Sequence, residues 1–136
     1  MTAPAYTYLL ISNDGGAQII TLHNPARKNA IGPVMVNELL YAIAAAVDDQ
    51  EVRAIVLTGS GDAFCAGGDF AQMTGSTGQT GEDRVIRGDY ADLLLAMVNS
   101  PKPIIARVNG HATGGGFGLV CAADFAVAAE TAKLGD

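Results

Sequence analysis

Runs rich in β-branched residues alternate with stretches of helical spacing along this chain, and glycine-rich turns separate them. The runs Arg53–Thr58, Ile104–Val108 and Phe125–Ala129 each predict a short buried strand. Apolar residues fall on one helical face from Pro33 to about Asp49, and again from Asp83 to Asn99. Strands that alternate with helices predict an α/β fold with mostly parallel strand pairing.

The N-terminal segment predicts a different arrangement. Tyr6–Ser12 and Ala17–His23 are strand-like runs on either side of Asn13-Asp14-Gly15-Gly16, a sequence typical of a hairpin turn. The following residues, His23–Ile31, predict a polar loop. Gly116–Ala123 predicts a short buried helix, because its residues are mostly apolar and glycines precede it. The fold should therefore open with an antiparallel pair.

Composition argues against several classes of function. The net charge is -6 and no Lys/Arg run occurs, which argues against nucleic acid as the main partner. No apolar stretch is long enough to predict a membrane span, and we expect a cytoplasmic location. Cys65 and Cys121 are expected to be reduced core thiols. With two histidines and no HExxH motif, no metal site is expected.

Two glycine clusters, Ala66-Gly67-Gly68-Asp69 and Gly114-Gly115-Gly116, each follow a strand and precede a helical segment. Either cluster alone can be a tight structural corner. Together, two helix N-termini that converge would offer free backbone N–H donors to a carbonyl oxygen that gains negative charge. Asp69 can be the N-cap of a helix containing Phe70–Met73, or a carboxylate that faces the ligand.

Four segments carry a specific resemblance to the crotonase (enoyl-CoA hydratase/isomerase) superfamily. FCAGGDFAQM (Phe64–Met73) and NGHATGGGFGLVCAADFAVAAETAKLG (Asn109–Gly135) resemble the family's oxyanion-hole segments. PARKNAI (Pro25–Ile31) and RAIVLTGSGDAFCAGGD (Arg53–Asp69) are similar to family segments too, so the resemblance covers nearly the whole chain.

The resemblance implies a superhelix of repeated ββα units that binds acyl-CoA thioesters, in homo-oligomers that are trimers or hexamers. Coenzyme A is then part of the substrate, and no separate cofactor is expected. The acyl carbonyl would lie between the backbone amides of Gly68 and Gly115. The implied substrate and CoA contacts are Arg27, Lys28, Ala30, Ala66, Gly67, Asp69, Phe70, His111, Gly114 and Gly118. Arg27 and Lys28 can meet phosphate or simply be solvated, and His111 can touch substrate or be structural.

One position departs from the family pattern. Hydratases of the family carry a glutamate three residues after the second hole glycine, where this chain has Gly118. The resemblance therefore implies an isomerase or another non-hydratase, with a truncated, non-catalytic acyl-CoA binding module as the alternative.

Residues 1–136 are expected to be an N-terminal core that lacks the C-terminal helical trimerisation region and the general acid/base. The apolar side chains of Leu119, Val120, Phe125 and Val127, which that C-terminal region would bury, should then be exposed.

Overall fold

The computed structural model describes residues 5–68 and 84–135. The chain opens with strands β1 (Leu9–Asp14) and β2 (Ala17–Leu22), which pair antiparallel from Leu9 opposite Leu22 to Asp14 opposite Ala17. Gly15 has a φ of +63°, which suits a two-residue hairpin turn. The predicted hairpin is confirmed, although Asn13 and Asp14 belong to β1 and not to the turn.

Strands β3 (Ala54–Gly59), β5 (Ile104–Val108) and β7 (Phe125–Ala128) add to the hairpin in parallel, giving the order β1-β2-β3-β5-β7. Three shorter strands, β4 (Ala63–Cys65), β6 (His111–Thr113) and β8 (Leu134–Gly135), form a second parallel sheet in the order β4-β6-β8. The second sheet was not predicted, because strands of two or three residues carry no readable alternation.

Helix α1 (Pro33–Asp48) has the predicted bounds, and α3 (Gly115–Ala122) begins one residue before the predicted start. A short 3-10 helix, Pro25–Arg27, lies within the predicted polar loop.

Helix α2 (Tyr90–Val98) begins later than predicted, since residues 84–89 are not helical. Asp89 caps this helix in a reciprocal capping box with Asp92. Just before the cap, the backbone of Val85 and Arg87 is hydrogen-bonded by the side chain of Asn37 on α1. These side-chain bonds compete with a helical backbone, and the apolar spacing alone did not reveal them.

The elements repeat as ββα units: β1-β2-α1, then β3-β4 followed by α2, then β5-β6-α3. From β3 onward, each unit adds one strand to the larger sheet and one to the smaller. The predicted helix over Phe70–Met73 and its Asp69 cap lie outside the described residues.

The core lies between α1, the larger sheet and the buried sides of α2 and α3, and includes Leu39, Leu57, Leu93 and Leu119. Phe125 and Val127 on the edge strand β7 are each 65% exposed, as expected for uncovered apolar residues. The same expectation was wrong for Leu119 and for Val120, which is buried with it, because α3 packs against the existing core. In the part of the chain described, no helix is long and apolar enough to span a membrane.

Candidate functional site

The two glycine clusters meet at one edge of the smaller sheet. Strands β4 and β6 pair in parallel, with Cys65 opposite Ala112, so both strands end at the same edge. A Cβ placed on Gly114 would lie 3.7 Å from the Cα of Gly67, and one placed on Gly67 would lie 3.2 Å from the carbonyl oxygen of Thr113. The Gly67 and Gly114 turns therefore lie next to each other, with room for little more than a methyl group between them.

Both turning points use backbone conformations that favour glycine. Gly67 has a φ of +99° and Gly114 a φ of +52°. Beyond Gly67, a parallel bridge joins Gly68 to Ile31, and the Ile31 amide donates to the Gly67 carbonyl. This hydrogen bond uses the Gly67 carbonyl, and the Gly68 amide takes no part in it.

Helix α3 starts directly at the second cluster. Its first intrahelical hydrogen bond runs from the Gly118 amide to the Gly114 carbonyl at 3.1 Å. The amides of Gly115, Gly116 and Phe117 precede that bond and have no acceptor one turn earlier within the helix. The N-terminus of α3 therefore presents donors and a positive dipole end beside the Gly67–Gly68 turn.

Cys65 ends β4 just before the first cluster, but it is not a nucleophile. It is fully buried, and burial raises the pKa of its thiol from the usual 9.0 to about 11, although a backbone hydrogen bond with Gly67 opposes the rise. Both cysteines are free, as predicted. The expectation of a core position is wrong for Cys121, which is exposed.

The loop before α1 is held by Asn29, which is buried. Its side chain accepts from the Asn24 amide at 2.8 Å and donates to the carbonyls of Ser60 and Ala63 at 2.9 Å each. Lys28 and Asn29 both have positive φ values, 53° and 59°. The loop is thus pinned to the β3–β4 turn, and the Lys28 carbonyl receives the Ala66 amide at 3.0 Å.

The basic residues of this loop differ in their surroundings. Arg27 is exposed at the end of the 3-10 helix, whereas Lys28 pairs with Asp62 at 3.2 Å on the surface. An exposed pair of this kind contributes little stability, so Lys28 can exchange Asp62 for an anionic ligand. Ala30 is buried, with its amide bonded to the Arg27 carbonyl.

An open groove of about 630 Å³ runs past the loop and the smaller sheet. Among its lining residues are Lys28, Ala66 and His111, three of the predicted contacts, which the fold brings together. The Nδ1 atom of His111 accepts the Lys133 amide at 3.0 Å, so this side chain ties β6 to the segment before β8 while it lines the groove. Asp69 and Phe70 lie outside the described residues.

Sequence reasoning missed two residues of the site region. Asn109 accepts the Gly59 amide at 3.0 Å and donates to the carbonyls of Gly61 and Ala63, which fixes the β3–β4 turn against the end of β5. Tyr90 lies within the predicted helix from Asp83 to Asn99, where its ring fits the apolar spacing. Its hydroxyl instead donates to the Gly115 carbonyl at 2.6 Å. An Asn at a strand end signals such a turn, but nothing in the sequence marks Tyr90.

Comparisons with known proteins agree with this architecture. The sequence profile described as enoyl-CoA hydratase/isomerase matches residues 13–136. A probable enoyl-CoA hydratase of Mycobacterium tuberculosis is 39% identical over 127 residues, covering 93% of this chain and 49% of that protein. The chain spans about half the length of the curated relatives it matches.

Solved structures show the same fold. An enoyl-CoA hydratase of Mycobacterium marinum superposes with a TM-score of 0.82 at 32% identity, covering 94% of this chain and 60% of that one. A putative enoyl-CoA hydratase/isomerase (crotonase) of Legionella pneumophila gives 0.80 at 32% identity, covering 94% of this chain and 50% of that one. The chain belongs to the enoyl-CoA hydratase/isomerase family and has the crotonase fold.

Proposed function

We propose that the chain binds an acyl-CoA thioester and holds its carbonyl oxygen between the backbone amides of Gly68 and Gly115. Charge that develops on the oxygen when an enolate forms would be stabilised by these two donors. The protein would then act as an isomerase or another non-hydratase of the family.

The observation that carries the proposal is the proximity of the two glycine clusters. A Cβ on Gly114 would be in ordinary van der Waals contact with Gly67, and α3 begins at Gly115 with amides in its first turn that have no acceptor within the helix. The groove that contains Lys28, Ala66 and His111 reaches the glycine clusters, because Ala66 and Thr113, which also line it, directly precede Gly67 and Gly114. It is suited to the CoA part of the ligand, with the exposed Arg27 and Lys28 available for its phosphates.

Gly118 favours a non-hydratase. Addition of water to a double bond needs a group that positions or deprotonates the water, and glycine supplies none. The segment from Asn109 to Leu119 holds no carboxylate. Asp62 lies on the β3–β4 turn and lines the groove proposed for the CoA part of the ligand, not for the acyl carbonyl. The proton-transfer group would have to come from outside these residues.

A second candidate function is a non-catalytic acyl-CoA binding or assembly module. The observation that favours it is Gly118, together with the lack of a carboxylate between Asn109 and Leu119. Both candidates share the thioester-binding site and differ only in turnover.

Calorimetric titration separates these functions from a site that binds nothing. The natural polypeptide, purified at its native length and weighed by intact mass, would be titrated with a panel of CoA thioesters and with free CoA. Binding of thioesters in preference to free CoA is the expected result. Failure to bind any thioester would refute the proposal.

Absorbance then distinguishes the reactions. An isomerase moves the double bond of a 3-enoyl-CoA into conjugation with the thioester, so absorbance of the conjugated thioester rises. A hydratase consumes a 2-enoyl-CoA, so the same absorbance falls. We expect the rise without the fall, whereas a binding module would give neither change.

The Gly115→Pro variant tests the amide directly. Proline is tolerated at the first position of a helix, so this change removes the N–H with little effect on α3. Loss of one hole donor lowers kcat about 10²- to 10³-fold in comparable sites. Gly115→Ala retains the amide, and the difference between the two variants therefore measures the contribution of the donor.

Homo-oligomerisation and a cytoplasmic location stay predictions.

A further inference from the structure

The side chain of Tyr90 reaches from the first turn of α2 to the first turn of α3. Its hydroxyl donates to the Gly115 carbonyl at 2.6 Å, and its ring lies 3.6 Å from where a Cβ on Gly115 would be. Tyr90 is half-buried and packs against the hydrophobic core. It therefore contacts the residue whose amide is proposed to bind the substrate carbonyl.

The lack of a side chain at Gly118 leaves room for the Tyr90 hydroxyl beside the Gly115 carbonyl. A Cβ placed on Gly118 would overlap the hydroxyl oxygen of Tyr90, and it would lie 3.4 Å from the ring carbon that carries this oxygen. Any side chain at position 118 and the hydroxyl in its present position exclude each other. The space that a side chain at position 118 would occupy is filled by the Tyr90 hydroxyl from α2.

The protonation state suits a donor. Burial raises the pKa of Tyr90 above its usual value, with smaller contributions from Cys65 and Cys121. The phenol is consequently neutral at physiological pH and keeps the proton that it shares with the Gly115 carbonyl.

We infer that Tyr90 is a positioning residue of the thioester site, which fixes the Gly115 backbone through its hydroxyl in the space that Gly118 leaves open. This inference rests on the proposed function. A hydrogen bond to the Gly115 carbonyl directly restrains the peptide plane between Gly115 and Gly116. Because Gly115 is the first helical residue, its φ and ψ connect this plane to the preceding one, and the bond thereby limits movement of the plane that carries the Gly115 amide. Displacement of that amide by a fraction of an ångström would weaken its hydrogen bond to the substrate oxygen. A misplacement of about 1 Å can lower the rate roughly 100-fold.

The test is the carbonyl stretch of a 2-enoyl-CoA, labelled with ¹³C at the thioester carbon and bound to the native-length protein. Tyr90→Phe keeps the ring and removes the hydroxyl. We expect its dissociation constant to stay within about threefold of the wild type, because the ring contacts remain, while the shift of the bound carbonyl stretch to lower frequency becomes smaller. A general loss of structure would weaken binding as well.

Tyr41→Phe is the matched control, since the Tyr41 hydroxyl also donates to a backbone carbonyl, that of Val85 at 2.9 Å, but on the outer side of α1. It should leave the carbonyl stretch unchanged. Gly118→Ala should reproduce the effect of Tyr90→Phe by displacing the hydroxyl. The double variant should equal Tyr90→Phe alone, because the overlapping oxygen is then absent.

The outcomes separate the two proposals. If the wild-type protein does not shift the carbonyl stretch, both the thioester site and the role of Tyr90 are refuted. If the wild type shifts it and Tyr90→Phe shifts it equally, only the role of Tyr90 is refuted. Additive effects of Tyr90→Phe and Gly118→Ala would also overturn the inference.

Discussion

Two adjacent glycines in the first turn of α3 should respond in opposite ways to the same substitution. A Cβ on Gly116 would overlap the Cys65 carbonyl oxygen and lie 2.7 Å from the Cys65 Cβ, both at the end of β4. A Cβ on Gly115 would meet Ile31 and Tyr90 at 3.6 Å, which is ordinary contact. One position is closed by backbone and the other has room.

The expected magnitude follows from this geometry. Replacement of glycine by alanine favours a helix by up to about 1 kcal/mol, and this gain is common to both positions. Crowding within a packed region costs about 1–3 kcal/mol. Gly116→Ala should therefore be less stable than Gly115→Ala by about 1–3 kcal/mol.

Equilibrium unfolding in urea measures the difference. With an m-value of roughly 1–3 kcal/mol/M for a small protein, the two midpoints should differ by roughly 1 M, at equal m. Equal midpoints, or a higher midpoint for Gly116→Ala, would show that α3 does not abut β4 as described. The close contact of the glycine clusters would then be in doubt as well.

Three further predictions concern buried groups. Iodoacetamide should alkylate the folded protein at Cys121 alone, because Cys65 is fully buried; mass spectrometry showing an adduct on Cys65 would contradict this. Above pH 9.0, the unfolded Cys65 thiol ionises while the folded thiol, with a pKa raised to about 11, stays protonated. Stability should thus fall by about 1.4 kcal/mol per pH unit between these values, a slope that Cys65→Ala should lack. Glu38 is fully buried and its carboxylate accepts the Thr7 and Tyr8 amides at 2.6 and 2.7 Å. Glu38→Gln should lower the free energy of unfolding by about 1–3 kcal/mol, measured as a lower thermal midpoint. An unchanged midpoint would show that the carboxylate does not stabilise the fold through these hydrogen bonds.

Much of the fold was predictable because the larger elements carry strong local signals. The Asn-Asp-Gly-Gly turn, Pro33 at the start of α1 and the β-branched run at Ile104–Val108 each favour one structure by backbone preference and burial. Where those signals are short, prediction failed. Strand β6 is three residues long, and only its pairing with β4 defines it.

The site was predictable in outline and not in its supporting contacts. The glycine clusters can be recognised in the sequence, because a positive φ and a close backbone approach exclude most other residues. Asn29, Asn109 and Tyr90 act through hydrogen bonds to residues 25 or more positions away. A tyrosine at a helical apolar position looks the same whether its hydroxyl meets water or a carbonyl. Only the tertiary structure distinguishes these cases.

Two converging backbone amides that bind a thioester carbonyl should polarise its C=O bond. The most direct test is the infrared carbonyl stretch of a ¹³C-labelled acyl-CoA bound to the native-length protein, compared with the Gly68→Pro variant, which lacks one amide. The stretch should shift to lower frequency on binding and shift less in the variant, since one of two donors is lost. A bound carbonyl stretch that is the same in both proteins would mean that the Gly68 amide does not bind the carbonyl.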